Sequence, residues 1–136
     1  MNDFLPINKK EMLERGWQDV DFVFVTGDSY VDHPSFGVAI LTRLLEKEGY
    51  RVAVLSQPNW KNDGDFTQFG RPRLAFMVTS GNIDSMVAHY TAAKRLRHDD
   101  AYTAGGIAGK RPDRAVIVYS NIIKRIYPDC PVVIGG

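Results

Sequence analysis

A strand–helix–strand pattern compressed into some thirty-five residues constrains this chain more than any other feature. Asp21-Phe-Val-Phe-Val-Thr26 is a largely apolar run, rich in β-branched and aromatic residues, that stops at Gly27. A run with no polar alternation suits a strand covered on both faces, as in a parallel sheet. Pro34 then stands where a first-turn proline is tolerated, and Ile40, Leu41, Leu44 and Leu45 share one helical stripe before Gly49. The expectation is that this stripe turns inward, each side chain contributing roughly 1.5–3 kcal/mol before entropy is charged. Arg51-Val-Ala-Val-Leu-Ser56 follows at once as a second strand. A right-handed crossover should join the two.

The flanking segments extend the pattern. Asn8 with Glu11 three residues on predicts a short helix over about 9–15, stopped at Gly16. Residues 57–72, with Pro58, Gly64, Gly70 and Pro72, read as a loop with room for a single helical turn. Leu74-Ala-Phe-Met-Val-Thr79 is a third strand, and Ser80-Gly81-Asn82 opens a helix with Ile83, Met86, Val87 and Tyr90 on one face. A polar, glycine-rich connection runs from His98 to Arg111, long enough to suggest function or motion. Pro112 starts a helix whose Ala115, Val116, Tyr119, Ile122, Ile123 and Ile126 point inward, and Pro131-Val-Val-Ile134 enters a fourth strand. This order predicts an α/β fold, a three-layer, doubly wound, mostly parallel sheet of the cobalamin-binding or flavodoxin type, as one domain over 1–136. A strand running into Gly135-Gly136 should continue into a loop and helix, so the sheet reads as truncated, and its open side invites self-association.

Composition narrows the function classes. A formal net charge of +1 gives no strong nucleic-acid signal. Residues 91–136 hold eight Lys or Arg against four Asp, a mild excess that a solvated basic face explains. No stretch approaches the roughly 18 apolar residues of a membrane span. Met1 is followed by polar residues and no apolar leader, so a cytoplasmic protein is expected. Cys130 is the single cysteine, which rules out an intrachain disulfide and any thiolate-built zinc or iron–sulfur site in this chain.

Ligands of open parallel sheets bind beyond the carboxyl ends of the strands. Those ends offer Asp28, Ser29, Asp32, His33, Ser35 and Gly37 after the first strand. Thr79, Ser80, Gly81 and Asn82 follow the third, and Gly135 and Gly136 the fourth. All are candidates for ligand or domain contact, although glycines also serve turns and Asp or Asn also serve helix caps. Asp32 and His33 invite a metal or hydrolytic reading, yet a mononuclear site needs three or more convergent ligands. Gly105-Gly106-Ile107-Ala108-Gly109-Lys110-Arg111 lacks the first glycine, the Ser or Thr and the preceding strand of a phosphate loop. No catalytic residue and no metal ligand is assigned.

Taken together, several strings are more specific than any of these motifs. They are Phe4-Leu-Pro-Ile7, Asp21-Phe-Val-Phe-Val-Thr-Gly-Asp28, Tyr30-Val-Asp-His-Pro-Ser-Phe-Gly37 and Gly70-Arg-Pro-Arg-Leu74. Further along come Gly81-Asn82, His89-Tyr-Thr-Ala-Ala-Lys-Arg95, Arg111-Pro-Asp-Arg-Ala115 and Val118-Tyr-Ser-Asn121. They resemble the amino-terminal region of the YgiQ family of radical S-adenosylmethionine (SAM) proteins over nearly the whole chain. The resemblance implies a parent protein in which a following barrel, the partner of this domain, binds a [4Fe–4S] cluster through Cys-x3-Cys-x2-Cys and cleaves SAM. Cys130 cannot be carried over as a ligand, so no cofactor and no catalysis are expected of this region alone. Related proteins place a cobalamin domain here, with Asp-x-His-x-x-Gly supplying a histidine to cobalt. In Asp32-His33-Pro34-Ser35-Phe36-Gly37 the two residues are adjacent and His33 is displaced, which leaves cobalamin bound without a protein ligand as the alternative.

Overall fold

Local signals at the amino-terminal end act as read. The Asn8 side chain accepts from the Glu11 N–H, and the Glu11 carboxylate reaches back to the Ile7 N–H, both at 2.9 Å. One donor of the first helical turn and one of the approaching chain are thereby satisfied. This helix, α1 (Lys9–Glu14), gives way to Gly16, whose φ of 78° lies in the left-handed region.

The computed structural model describes residues 5–27, 37–79 and 115–135. After α1 come β1 (Phe22–Thr26), α2 (Gly37–Lys47), β2 (Val52–Ser56), the single turn α3 (Gly64–Thr67), β3 (Ala75–Thr79), α4 (Ala115–Ile126) and β4 (Val132–Gly135). The helix expected from Ser80 onward and the glycine-rich connection to Arg111 lie outside the described residues. The strands form one sheet in the order β2-β1-β3-β4, every neighbouring pair parallel. The chain moves outward one way from β1 to β2 and the other way from β3 to β4, which is doubly wound topology.

Period-two alternation divides the sheet's side chains between two cores. Val23, Val25, Phe76 and Val78 face a layer built from Phe66 and Phe69 and from Ala115, Tyr119 and Ile123 of α4. Phe24, Val52 and Val54 face the opposite way, where Leu5 is buried with them and Val38 and Leu45 of α2 pack on. Helices on both faces complete the three-layer α/β fold anticipated from the sequence.

One packing expectation is corrected. Ile40, Leu41 and Leu44 of α2 are 52%, 51% and 54% exposed, and only Leu45 of the expected stripe joins the core. The helix instead buries Ala39 and Thr42, with Val38 and Leu45 beside them. The bulk beneath α2 comes from the sheet, through Phe22 and Phe24, so small residues on the helix allow close approach. The Thr42 hydroxyl is satisfied within the helix, donating to the Val38 carbonyl at 2.7 Å. Hydrophobic spacing identified the helix and chose the wrong arc of it.

Asp21 ties the amino ends of three strands together. It is 8% exposed, and its Oδ2 accepts from the Arg51 N–H at 2.8 Å, just ahead of β2. Its own N–H donates to the Arg51 carbonyl at 2.8 Å, while its carbonyl accepts from the Leu74 N–H at 2.9 Å, ahead of β3. Arg73, whose side chain is 65% exposed, adds a contact at 3.3 Å that solvent largely screens. Asp21→Ala should therefore destabilise the domain by about 1–3 kcal/mol, since the part-buried Arg51 N–H loses a charged acceptor. Asp21→Asn keeps an acceptor and should cost less; denaturant titration of the two variants checks the order.

Candidate functional site

The carboxyl ends of all four strands fall in one row. In-register pairing sets Ser56 opposite Thr26, Thr26 opposite Thr79, and Thr79 opposite Gly135. Because alternation is shared across the sheet, these positions lie on the same face as Phe24, Val54 and Met77. Three hydroxyl residues and a glycine thus line the end of the sheet on the side that α2 covers. Thr26 is almost wholly buried there, and Thr79 and Ser56 are half-buried.

The chain just past this row is pinned by backbone and amide contacts. The Gly27 N–H donates to the Thr79 carbonyl at 3.3 Å, bridging the exits of β1 and β3. Gln57 leaves β2 with a φ of 47°, a left-handed conformation uncommon for a residue with a side chain. Its N–H donates to the Thr26 carbonyl at 2.9 Å and its Nε2 to the Gly27 carbonyl at 3.0 Å. The exits of β1, β2 and β3 are therefore one connected unit, at the point where strand order reverses, which is where such sheets take ligands.

Of the candidates read from the sequence, three are described. Thr79 and Gly135 stand side by side in the row, and Gly37 is the first residue of α2. Asp28, Ser29, Asp32, His33, Ser35, Ser80, Gly81, Asn82 and Gly136 lie outside the described residues. Sequence reasoning passed over Ser56 and Gln57, because the end of β2 carried no motif. A serine or threonine closing each of three apolar runs was the available signal.

Two further features bear on chemistry. Among the described residues no three His, Cys, Asp or Glu side chains converge as a metal site. Cys130 is fully buried, its Sγ lies 3.6 Å from the Pro131 carbonyl, and Lys124 Nζ donates to the Cys130 carbonyl at 2.8 Å. A single buried thiol does not fit an iron–sulfur cluster, which needs three or four thiolates. The basic residues of α4 are also engaged internally: Arg125 donates to both carboxylate oxygens of Asp63, one of them at 2.9 Å. That hydrogen bonding holds the Asp63 carboxyl below its ordinary range.

Comparison with known proteins places these features in a family. The family model for the radical SAM N-terminal region matches residues 4–136. A UPF0313 protein of Thermotoga maritima is 57% identical over 133 residues, which is 98% of this chain and 24% of the relative. A UPF0313 protein of Clostridium botulinum strain 657 is 58% identical over 134 residues, covering 98% of this chain and 21% of the relative. The chain thus spans a quarter or less of the length of these curated relatives. No solved structure matches it.

Two outcomes follow from the geometry. Gln57→Val, which puts a β-branched residue at positive φ, should be roughly 1–3 kcal/mol less stable than Gln57→Gly in chemical denaturation. For Asp63, a folded pKa below the unfolded one means that its ion pair stabilises above about pH 4 and is lost as pH falls further. Denaturation midpoints of the parent protein and Asp63→Asn should therefore differ near neutral pH and converge in acid.

Proposed function

The chain belongs to the radical SAM N-terminal family, and from that premise we propose that it is the accessory N-terminal domain of a YgiQ-like radical SAM [4Fe–4S] enzyme. In this reading the domain packs on the catalytic barrel of its own polypeptide and is chemically silent by itself. The observation that carries it is the match of residues 4–136 to this family in relatives about four times as long. The single, buried Cys130 supports the division of labour. A cluster held by Cys-x3-Cys-x2-Cys, and the reductive cleavage of SAM that it supports, would belong to the barrel.

The carboxyl-end row is the side we assign to the barrel and its substrate. Ser56, Thr26, Thr79 and Gly135 form its floor. The segments that carry Asp28, Ser29, Asp32, His33 and Ser35, and Ser80, Gly81 and Asn82, leave from its β1 and β3 positions. Small and hydroxylic side chains there suit close approach by a neighbouring domain or a polar ligand.

Anaerobic reconstitution tests the reading. Chain 1–136 supplied with iron and sulfide should hold no stoichiometric cluster and should leave SAM intact, whereas the full-length protein should do both. A full cluster's iron per chain, with its absorption band, in residues 1–136 would overturn the proposal. Titration with hydroxocobalamin should give no saturable heat. Tight binding that survives His33→Ala would instead assign the domain to cobalamin bound without a histidine ligand.

A further inference from the structure

The two outer strands of the sheet treat their free edges differently. In a parallel ladder, alternate residues send both N–H and C=O to the same neighbour. On β2 the outward set includes Val54, whose N–H donates to the Pro6 carbonyl at 2.9 Å. Leu5 is fully buried beside it, and Val52, Ala53 and Val54 are each 0% exposed. The chain ahead of α1 therefore closes that edge.

β4 has no such cover among the described residues. The Phe76 N–H donates to the Pro131 carbonyl at 3.0 Å, and Phe76 stands opposite Val132. This register turns the backbone groups of Val133 and Gly135 toward β3 and those of Val132 and Ile134 outward. Side chains are open as well: Val133 is 49% and Ile134 62% exposed, on opposite faces of the sheet. Of the charges, internal prolines, bulges and short length that guard natural edge strands, Val-Val-Ile-Gly has only its four-residue length. An uncharged parallel strand of this composition is typical of a sheet interior.

We propose that β4 is an interior strand of the full-length protein, its outer edge taking a fifth parallel strand from the polypeptide that follows in the longer relatives. The order β2-β1-β3-β4 already has the sense of a five-stranded doubly wound sheet that grows outward past β4. The relatives, of which this region is 24% or less, have ample chain to supply the strand. This inference rests on the accessory-domain reading and adds how the domain is joined: by continuation of its sheet.

Site-resolved hydrogen exchange on the full-length protein tests it with an internal control. The amides of Val132, Val133, Ile134 and Gly135 should all exchange more than about 100-fold slower than unstructured amides, whatever the protein concentration. Slow Val133 and Gly135 with fast Val132 and Ile134 would make β4 a true edge and overturn the proposal. Protection of Val132 and Ile134 that grows with protein concentration would overturn it too, in favour of a second copy. Ile134→Pro removes an outward N–H and also fixes φ, so a melt as high as that of Ile134→Ala is compatible only with a free edge. Equal melting of the two variants counts against the fifth strand. A free β4 edge in a protein whose residues 1–136 hold no cluster removes this inference and leaves the accessory reading intact. A cluster held by residues 1–136 alone removes the accessory reading, whatever the exchange of β4 shows.

Discussion

Burial of β1 from every direction organises the rest of this domain. A strand reading Phe-Val-Phe-Val-Thr has no polar face to offer water, so it needs a neighbour on each edge and a layer on each face. β2 and β3 supply the edges by parallel pairing over all five residues. Parallel neighbours cannot be joined by tight turns, so each connection must cross over the sheet, and the crossovers become the covering layers. α2 covers one face on the way to β2, while α3 and α4 cover the other on the way to β3 and β4. The three-layer fold is a consequence of that one strand's composition.

The same constraint places the candidate site. Parallel strands in register bring all their carboxyl ends to one side, which is why Ser56, Thr26, Thr79 and Gly135 make a row although up to 109 positions of sequence separate them. Asp21 performs the matching task at the amino ends, where one carboxylate and its own peptide groups hold the entries of β1, β2 and β3. One end of the sheet is fastened by a buried acid, and the other is left with small polar residues.

Covered and uncovered surfaces give the domain a direction. The β2 edge is sealed by Leu5 and Pro6 from the chain's own start, whereas β4 and the outer face of α2 present apolar side chains to solvent. Ile40, Leu41 and Leu44 lie on that outer face, and Val133 and Ile134 on the strand. Such surface is characteristic of a domain that shares its boundary with a neighbour, in keeping with relatives of which it forms a quarter or less.

The sequence by itself determined the order of the described elements, the parallel α/β class, the caps at Asn8 and Gly16, and the lack of thiolates for a cluster. These are properties of short windows or of composition, and no distant residue can reverse them. Tertiary structure alone decided which arc of α2 is buried, because periodicity marks the stripe of Ile40, Leu41 and Leu44, whereas the bulk of Phe22 and Phe24 favours the small residues Ala39 and Thr42. It also decided that Ser56 joins the strand-end row and Gln57 pins it, that Arg125 pairs with Asp63, and that Lys124 donates to the Cys130 carbonyl. Those outcomes depend on register and on contacts across tens of residues. A local pattern can name the pieces, but only closure of the sheet fixes which of their sides meet.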